Sequence, residues 1–286
     1  MSEQAVDVII LDLDGGSLLD ACLDSIAAQT TPPQRVIVWD NGSTVATARR
    51  LTARPLPIVE VRRSEKNLGF TGGNNAAMRL SAAPFVALIN NDVVLDRDWL
   101  TIVLAAMAGD DRLAAVQCVL RRDGATIDGA GIDISDGTFR QAGHGARLAS
   151  APKHAAEAWG VSATATLYRR TALHDVAVDD EVFDRRLFAY YEDVDLCARL
   201  HAHRWRTAVL PIAKATHAGS RTASRLGRKA LRLRTRNRYR VARAHRGVGR
   251  MGALLSEDAR RIARCLLAGR VGDAVTIAIG IASGCV

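Results

Sequence analysis

Residues 85–92 read FVALINND, an apolar run that ends abruptly in three polar residues. A short, continuous apolar run is typical of a strand that is buried on both faces of a parallel sheet. Two earlier runs, Val6–Leu13 and Arg35–Trp39, also end at acidic residues, and a helical pattern follows the first of them. Strands that alternate with helices in this way predict an α/β fold, with a Rossmann-like, mostly parallel central sheet flanked by helices.

The polar residues at the ends of these runs are expected to share one edge of the sheet. Ligands of open α/β sheets bind outside the carboxyl ends of the strands. The polar residues at those ends are Asp12, Asp14, Asp40, Asn90, Asn91 and Asp92. The sequence therefore predicts a ligand site at this edge.

A second polar cluster lies much later in the chain. Residues 190–200 read YYEDVDLCARL, so that Glu192, Asp193 and Asp195 crowd at the start of a predicted helix. Like charges this close repel each other, and such a cluster requires a cation, a helix N-terminus or a reactive proton. The two clusters together predict a single active site that is assembled from distant segments.

The net charge of +9 is concentrated in one segment. Residues 221–250 contain twelve Arg or Lys and neither Asp nor Glu, and subtracting these twelve from +9 leaves −3 for the rest of the chain. The following segment, Met251–Leu267, is a predicted amphipathic helix with arginines on its polar side. This C-terminal helical extension could pack on the domain, on a second subunit in a homodimer, or through 221–267 on an anionic membrane surface.

Cysteine usage and the absence of long apolar runs predict a location. The five cysteines are scattered and form no CxxC pair, which argues against a disulfide framework or a structural zinc site and fits a reducing compartment. The first residues lack the pattern of a secretory leader, and no apolar run reaches the ~18 residues of a membrane span. The expected location is the cytoplasm, with peripheral binding to the inner face of the cell membrane as an option.

Six motifs stand in a recognisable order between Val6 and Arg240. They are LDLDGGSLLDACLDSI at 11–26, DNGS at 40–43, NLGFTGGNN at 67–75, NND at 90–92, ED at 192–193, and His217. This order resembles the inverting family 2 glycosyltransferases with the GT-A fold, in particular their rhamnosyltransferase-like branch. The resemblance implies transfer of a sugar from a nucleotide-diphosphate sugar, with dTDP-rhamnose favoured by the branch, to a saccharide or lipid-linked acceptor of cell-envelope polysaccharide.

The resemblance also assigns roles to single residues. Donor binding is implied for Asp12, Asp14, Asp40, Asn67, Gly69, Asn74, Asn90, Asn91 and Asp92. Asp92 and His217 stand where family members hold a metal, and their oxygen and imidazole ligands suit Mg²⁺ or Mn²⁺. Asp193 stands at the catalytic base, which takes the proton from the acceptor hydroxyl. The residues expected on the acceptor side or in support are Tyr191, Glu192 and Asp195, of which Asp195 is expected to be structural.

The resemblance implies two parts of the chain. Residues 1–219 are expected to form the GT-A domain, with 1–119 as the half that binds the nucleotide sugar and 120–219 as the half that binds the acceptor. Residues 220–286 are expected to form the basic and amphipathic C-terminal helices.

Other interpretations compete with this one. Residues 9–15 (IILDLDG) resemble the first motif of haloacid dehalogenase-like phosphatases, in which Asp12 would attack phosphorus, although Gly16 replaces the threonine expected next. A catalytically inactive, glycosyltransferase-like binding protein is a second alternative, because the metal motif has one carboxylate. Binding of nucleic acid is not expected, since Tyr239 is the one aromatic residue within the basic segment.

Overall fold

The first half of the chain alternates strands with helices, as the sequence predicts. The computed structural model describes residues 4–44, 47, 58–151, 156–218 and 227–285. The first elements are β1 (Val6–Asp12), α1 (Ser17–Ala27), β2 (Arg35–Asp40), β3 (Val59–Arg63), α2 (Gly69–Met78), β4 (Phe85–Asn90), β5 (Val93–Leu95) and α3 (Trp99–Ala108).

The second half is richer in short strands and ends in helices. Its first elements are β6 (Leu113–Arg121), β7 (Ile127–Gly129), β8 (Ile132–Asp133), β9 (Arg140–Gln141), β10 (Ala156–Ala158), β11 (Ala165–Arg169) and α4 (Arg170–Asp175). They are followed by α5 (Glu192–Ala202), β12 (Arg206–His217), α6 (Arg228–Ala244), α7 (Met251–Leu267) and α8 (Val271–Cys285).

One sheet of ten strands forms the centre of the described residues. Its order is β10-β12-β6-β11-β4-β1-β2-β3, with β5 beside β12 and β7 beside β6. β1 is parallel to both β2 and β4, and β6 is parallel to β12, whereas β11 runs antiparallel between β4 and β6. The register places Asp12 opposite Asp40 and Leu11 opposite Asn90. The mostly parallel sheet is therefore confirmed, and the polar ends of three strands meet at one edge.

Apolar layers cover both faces of the sheet, because successive side chains of a strand point to opposite faces. On one face, Val8 and Ile10 share an apolar cluster with Leu23 of α1 and Trp99 of α3. On the other face, Ile9 belongs to a cluster that includes residues of α2, α4 and α5. Burial of each such side chain stabilises the fold by roughly 1.5–3 kcal/mol, so both layers hold the strand ends in place.

Two strands differ from what the sequence indicates. β6 spans nine residues that the local pattern leaves unassigned, because a buried apolar run fits a strand or a helix segment equally well. The predicted boundary between residues 119 and 120 falls inside this strand.

The sequence also predicts a strand over 207–210 that stops before Pro211, whereas β12 continues to His217. The β6–β12 register shifts between Leu210 and Ala213, and such an irregularity accommodates a proline that has no N–H to donate.

The predicted C-terminal helical extension is present, and its described residues, 227–285, form three helices where the sequence predicts two. Helix α8 contains glycines, which ordinarily disfavour a helix. A Cβ atom on Gly280 would lie 2.7 Å from Cβ of Thr235, and one on Gly284 would lie 2.9 Å from Cβ of Tyr239. The glycines therefore allow α8 to pack closely on α6. The predicted boundary at 219–220 lies outside the described residues.

No helix in the described part of the chain combines the length and the apolar character that a membrane crossing requires. All five cysteines are free thiols, and four of them are buried.

Candidate active site

A buried polar pair joins the ends of β1 and β4. Asp12 is fully buried, and its Oδ1 accepts a hydrogen bond from Nδ2 of Asn91 at 2.6 Å. Its Oδ2 accepts from the N–H of Gly15 at 3.4 Å. Burial raises the pKa of Asp12, although the bond from Asn91 opposes this shift. Because the Asp12 carboxylate is enclosed, it cannot reach a substrate phosphorus, and the phosphatase interpretation loses its nucleophile.

The other acidic residues at this edge hold turns. Asp14 has a left-handed φ of 53°, and its Oδ1 accepts from the N–H and the hydroxyl of Thr44, both at 3.0 Å. Asp40 is buried, with one oxygen accepting the N–H of Ser43 at 2.8 Å and the other paired with Arg63 at 2.7 Å. Arg63 belongs to none of the sequence motifs. It therefore adds an unpredicted positive charge next to this edge.

The glycine-rich segment 67–75 forms the start of a helix. The sequence predicts this helix from Asn74 onward, whereas α2 begins at Gly69. The side chain of Asn67 accepts from the N–H of Gly69 at 2.8 Å and from Nδ2 of Asn41 at 3.1 Å. Gly69 has a φ of +77°, and a Cβ there would lie 2.6 Å from Cδ2 of Phe188. Glycine is therefore required where this segment contacts the loop that precedes α5.

Two further predicted donor residues make contacts within the protein. Asn74 is buried and donates its side-chain amide to the carbonyl of Phe70 at 2.9 Å. Asn90 donates its backbone N–H to the carbonyl of Thr164 at 2.8 Å, and its own carbonyl accepts from Sγ of Cys22 at 3.5 Å. Their roles in donor binding stay predictions.

Asp92, His217 and Asp128 form a chain of charged groups. The β5–β12 ladder places His217 opposite Val93, and therefore beside Asp92. Nε2 of His217 lies 3.2 Å from Oδ1 of Asp92, and Nδ1 lies 2.7 Å from Oδ2 of Asp128. Burial lowers the pKa of His217, but the hydrogen bonds and charges of Asp128 and Asp92 outweigh burial and raise the pKa to about 9. In the absence of a metal, His217 is thus a cation between two carboxylates at neutral pH, and a bound metal would have to replace the proton on Nε2.

The donor set of this chain fits a divalent cation in part. Asp92 offers an oxygen ligand and His217 a nitrogen ligand, and the two facing atoms lie 3.2 Å apart. Both ligand types suit Mg²⁺ or Mn²⁺. A histidine that binds a metal usually donates its other ring N–H to a carboxylate, and Asp128 occupies that position. Within the described ranges, no group of three or more His, Cys, Asp or Glu side chains makes a complete metal site. Phosphate oxygens or water would have to supply the remaining ligands.

Glu192 and Asp193 begin α5 and differ in exposure. Glu192 is buried, and its Oε2 has no hydrogen-bond partner among the described residues. Asp193 is partly exposed, and its Oδ1 accepts from the N–H of Val194 at 2.9 Å. Burial raises the pKa of Asp193 to about 6, although the N–H groups of Val194 and Ala163 oppose the shift. Burial and the charge of Asp193 raise the pKa of Glu192 to about 8. The two carboxyl groups therefore titrate as a pair, with apparent pKa values of about 6 and about 8, and the pair holds about one proton near neutral pH.

Residues 163–164 contact one residue of each polar cluster. The carbonyl of Thr164 accepts the N–H of Asn90, two residues before Asp92. The neighbouring N–H of Ala163 stabilises the charged form of Asp193. Asn90 and Asp193 are therefore both held by the short segment that precedes β11.

The residues that flank Asp193 support the helix. Oδ2 of Asp195 pairs with Arg199 at 2.9 Å, and Oδ1 pairs with Nε2 of His245 at 2.8 Å. Burial raises the pKa of Asp195, but these partners outweigh burial, and the pKa is lowered overall. Tyr191 precedes the helix with a left-handed φ of 68°, and its ring meets Phe139 edge-on at a centroid distance of 5.5 Å. Asp195 therefore anchors α5 to the C-terminal extension.

The loop before α5 is held by α6. Three of its residues have left-handed backbone angles that are costly for any residue other than glycine, namely Phe188 (φ 65°), Tyr190 (φ 73°) and Tyr191 (φ 68°). Asn237 of α6 is fully buried, and the two N–H groups of its side-chain amide are shared among three carbonyl oxygens of this loop. These are the carbonyls of Leu187, Ala189 and Tyr190, each at 2.8 Å. Helix α6 therefore contributes to the candidate site, which its basic composition does not indicate.

Comparison with protein families decides the assignment. Residues 8–176, more than half of the chain, match the family model for glycosyl transferase family 2. The chain belongs to glycosyl transferase family 2. The matched residues include Asp12, Asp40 and Asp92, whereas Asp193 and His217 follow the matched segment.

Solved structures and curated proteins agree with the family. The mannosyltransferase PcManGT from Pyrobaculum calidifontis, in complex with GDP-Man and Mn²⁺, has a TM-score of 0.59 at 18% identity and matches 97% of this chain and 79% of its own. TarS from S. aureus has a TM-score of 0.57 at 20% identity and matches 80% of this chain and 38% of its own. These likenesses confirm the GT-A fold of this family 2 chain.

Validoxylamine A glucosyltransferase from Streptomyces hygroscopicus subsp. limoneus is 32% identical over 108 residues, which are 36% of this chain and 24% of that protein. The family 2 chain spans about a quarter of the length of the curated relatives that it matches.

Proposed function

We propose that this family 2 chain is an inverting glycosyltransferase, which moves a sugar from a nucleotide-diphosphate sugar to an acceptor hydroxyl. One observation carries the proposal. The partly exposed Asp193 carboxylate begins α5, and residues 163–164 contact both this residue and Asn90, two residues before Asp92. Asp92 in turn faces His217. A base and a cation-binding pair are what an inverting displacement at a sugar–phosphate bond requires.

In the proposed reaction, Asp193 accepts the proton of the acceptor hydroxyl. The hydroxyl oxygen forms a bond to the anomeric carbon from the face opposite the donor phosphate. The bond between that carbon and the phosphate oxygen breaks, and the nucleoside diphosphate leaves with the bonding electrons, so that the configuration inverts. Glu192 stays protonated beside Asp193 and adds no second negative charge, while Asp195 holds α5 through Arg199 and His245.

Asp92 and His217 are proposed to hold a divalent cation, with Asp128 fixing the orientation of the histidine ring. When bound, Mg²⁺ or Mn²⁺ would offset the charge that develops on the diphosphate leaving group. The Mn²⁺ in the structure of the similar mannosyltransferase supports a divalent cation as a cofactor.

The donor is proposed to bind at the strand ends that carry Asp12, Asp14 and Asp40, next to the segment 67–75. The resemblance to the rhamnosyltransferase-like branch alone favours dTDP-rhamnose. The proposed acceptor is a saccharide or a lipid-linked saccharide of cell-envelope polysaccharide, which the enzyme would meet at the inner face of the cell membrane. A homodimer stays a prediction.

A thermal-shift panel tests donor and cation together. The full chain is heated with dTDP-, UDP- and GDP-sugars, each with and without Mn²⁺. The true donor at 100 times its Kd should stabilise the protein by about 2.7 kcal/mol, and Mn²⁺ should increase the shift. Asp92→Asn should lose the part of the stabilisation that depends on Mn²⁺. Asp111→Asn, a change at an exposed aspartate, should keep that part. A panel in which no nucleotide sugar shifts the melting temperature would contradict donor binding.

A further inference from the structure

The last two helices expose an unusual amount of apolar surface. Six of the ten large apolar side chains that are exposed in the described residues lie there. They are Leu255, Leu266 and Leu267 on α7 and Val271, Val275 and Ile279 on α8, with exposures from 43% to 89%. Single exposed apolar residues are ordinary, but their concentration on two neighbouring helices indicates a surface that something covers.

Helix α8 has a clear division between its two sides. The side against α6 and α7 carries the buried residues Ala274, Ile277, Gly280 and Gly284. The exposed side carries Val271, Val275, Ala278, Ile279, Ala282 and Cys285, and none of these is charged. The one charged residue of α8, Asp273, pairs with Arg228 at 3.2 Å and lies 4.0 Å from Arg270. The outward side of α8 is therefore an uncharged, mostly apolar stripe.

The surroundings of this stripe are strongly basic. Residues 227–285 contain fourteen Arg or Lys and three Asp or Glu. The three acidic residues, Glu257, Asp258 and Asp273, each pair with an arginine. Arg260, Arg264 and Arg270 are exposed on α7 and just before α8. A partner of this surface must therefore accept both apolar side chains and positive charge.

These two requirements decide between the candidate partners. In a twofold dimer that used this surface, the surface would face its own copy, and the excess positive charge would repel. An anionic lipid surface satisfies both requirements, because its interface accepts apolar side chains and its headgroups attract arginine. Helix α8 would lie in that interface, since its 15 residues reach only about 22 Å and a bilayer core is about 30 Å thick.

We propose that the exposed apolar side chains of α7 and α8, together with Arg260, Arg264 and Arg270, bind the interface of an anionic phospholipid membrane. The proposal rests on the proposed function only in placing the enzyme where a lipid-linked acceptor would lie. It differs from the sequence expectation of contact through 221–267, because α6 uses its buried side to hold the loop before Asp193 and α8 supplies much of the contact surface.

Vesicle co-sedimentation of the full chain tests the proposal. The vesicles contain phosphatidylcholine alone, or phosphatidylcholine and phosphatidylglycerol in equal parts. The protein should sediment with the anionic vesicles, bind neutral vesicles much more weakly, and dissociate as salt is added. Arg264→Gln with Arg270→Gln should weaken binding to anionic vesicles about 30-fold, because each arginine contributes about 1 kcal/mol and 1.4 kcal/mol is a factor of ten.

The apolar side chains are tested by Val275→Gln with Ile279→Gln, which should reduce binding to anionic vesicles by about tenfold or more. Val178→Gln is the matched control, since Val178 is 57% exposed and lies outside the C-terminal helices. These side chains are exposed, so each variant should keep the wild-type melting temperature and its donor-induced shift. Val271→Gln is a second variant if the double substitution lowers that temperature.

Three results would overturn the proposal. They are no binding of the wild type to anionic vesicles, unchanged binding after the glutamine substitutions, and a dimer that these substitutions dissociate in the absence of lipid. Because donor-induced stabilisation is measured separately, a failure here is distinguishable from a failure of the glycosyltransferase proposal.

Discussion

The side-chain amide of Asn237 lies 2.8 Å from the carbonyl oxygen of Tyr190, two residues before Glu192. This bond connects the first C-terminal helix to the left-handed loop that leads into α5. The position of Asp193 therefore depends on a residue of the basic segment. The C-terminal extension therefore positions the candidate base, because it holds the backbone that leads to Asp193.

Asn237→Ala should lower kcat by about 100-fold, because a small displacement of a catalytic group costs about that much. It would also leave three carbonyls of the loop without their donor and lower the free energy of unfolding by about 1–3 kcal/mol. Steady-state kinetics and denaturant unfolding measure both effects. The control is Arg232→Ala, an exposed change on the same helix. Wild-type kcat in the folded Asn237→Ala variant would show that the loop keeps its position without this clamp.

Asp128→Asn should weaken Mn²⁺ binding by about 10–100-fold, since a carboxylate that orients a metal-binding histidine typically contributes this much. The reason is the 2.7 Å contact between Asp128 and Nδ1 of His217, which orients the other ring nitrogen toward Asp92. Titration calorimetry with Mn²⁺ alone measures the effect without any turnover. Asp111→Asn serves as the control, and equal Mn²⁺ affinity in both variants would exclude this role for Asp128.

Gly69→Ala should destabilise the protein by about 1–3 kcal/mol, because alanine is strained at a positive φ and its Cβ would collide with Phe188. The same change should impair donor binding, since the segment 67–75 would move. Gly124→Ala is the matched control, because a Cβ at Gly124 meets nothing within 4 Å. Urea unfolding of the two variants gives the comparison, and equal stabilities would refute the close packing of α2 on the loop before α5.

The ratio kcat/KM should rise as the pH increases through about 6, because Asp193 must be ionised to accept a proton and burial raises its pKa to about that value. The direction follows from the chemistry of a base, which is inactive when protonated and active above its pKa. Donor-induced thermal shifts over the same pH range provide the control for binding. A profile that is flat between pH 5 and pH 7 would indicate that a different group removes the proton.

Local patterns predict the sheet and the helix at Asp193 well. The runs that became β1, β2 and β4, and the apolar spacing of α5, depend on neighbouring residues alone. The convergence of strand ends follows from parallel topology, so the grouping of Asp12, Asp40 and Asn91 was predictable.

The supporting residues could not be predicted, because their partners are set by register and tertiary packing. Asp128 lies in a hairpin whose sequence matches no known motif, and the fold places it against His217. Arg63 ends β3 and pairs with Asp40, which ends the neighbouring parallel strand β2. Asn237 lies in a basic segment whose composition indicates an anionic membrane surface and gives no sign of a contact with the loop before α5. The sequence does not predict helix α8 for a similar reason. Its glycines disfavour a helix when only neighbouring residues are considered, and their advantage is the close packing on α6 that they allow.

Asp193 is proposed as the base of a sugar transfer, and a single substitution at this residue separates catalysis from donor binding. Asp193→Asn removes the carboxylate at the start of α5 and keeps its shape. We expect this variant to bind the nucleotide sugar with wild-type affinity by calorimetry, while transfer falls by about 10²–10⁴-fold in a product assay. Unchanged transfer in a variant that still binds donor would show that Asp193 is not the base.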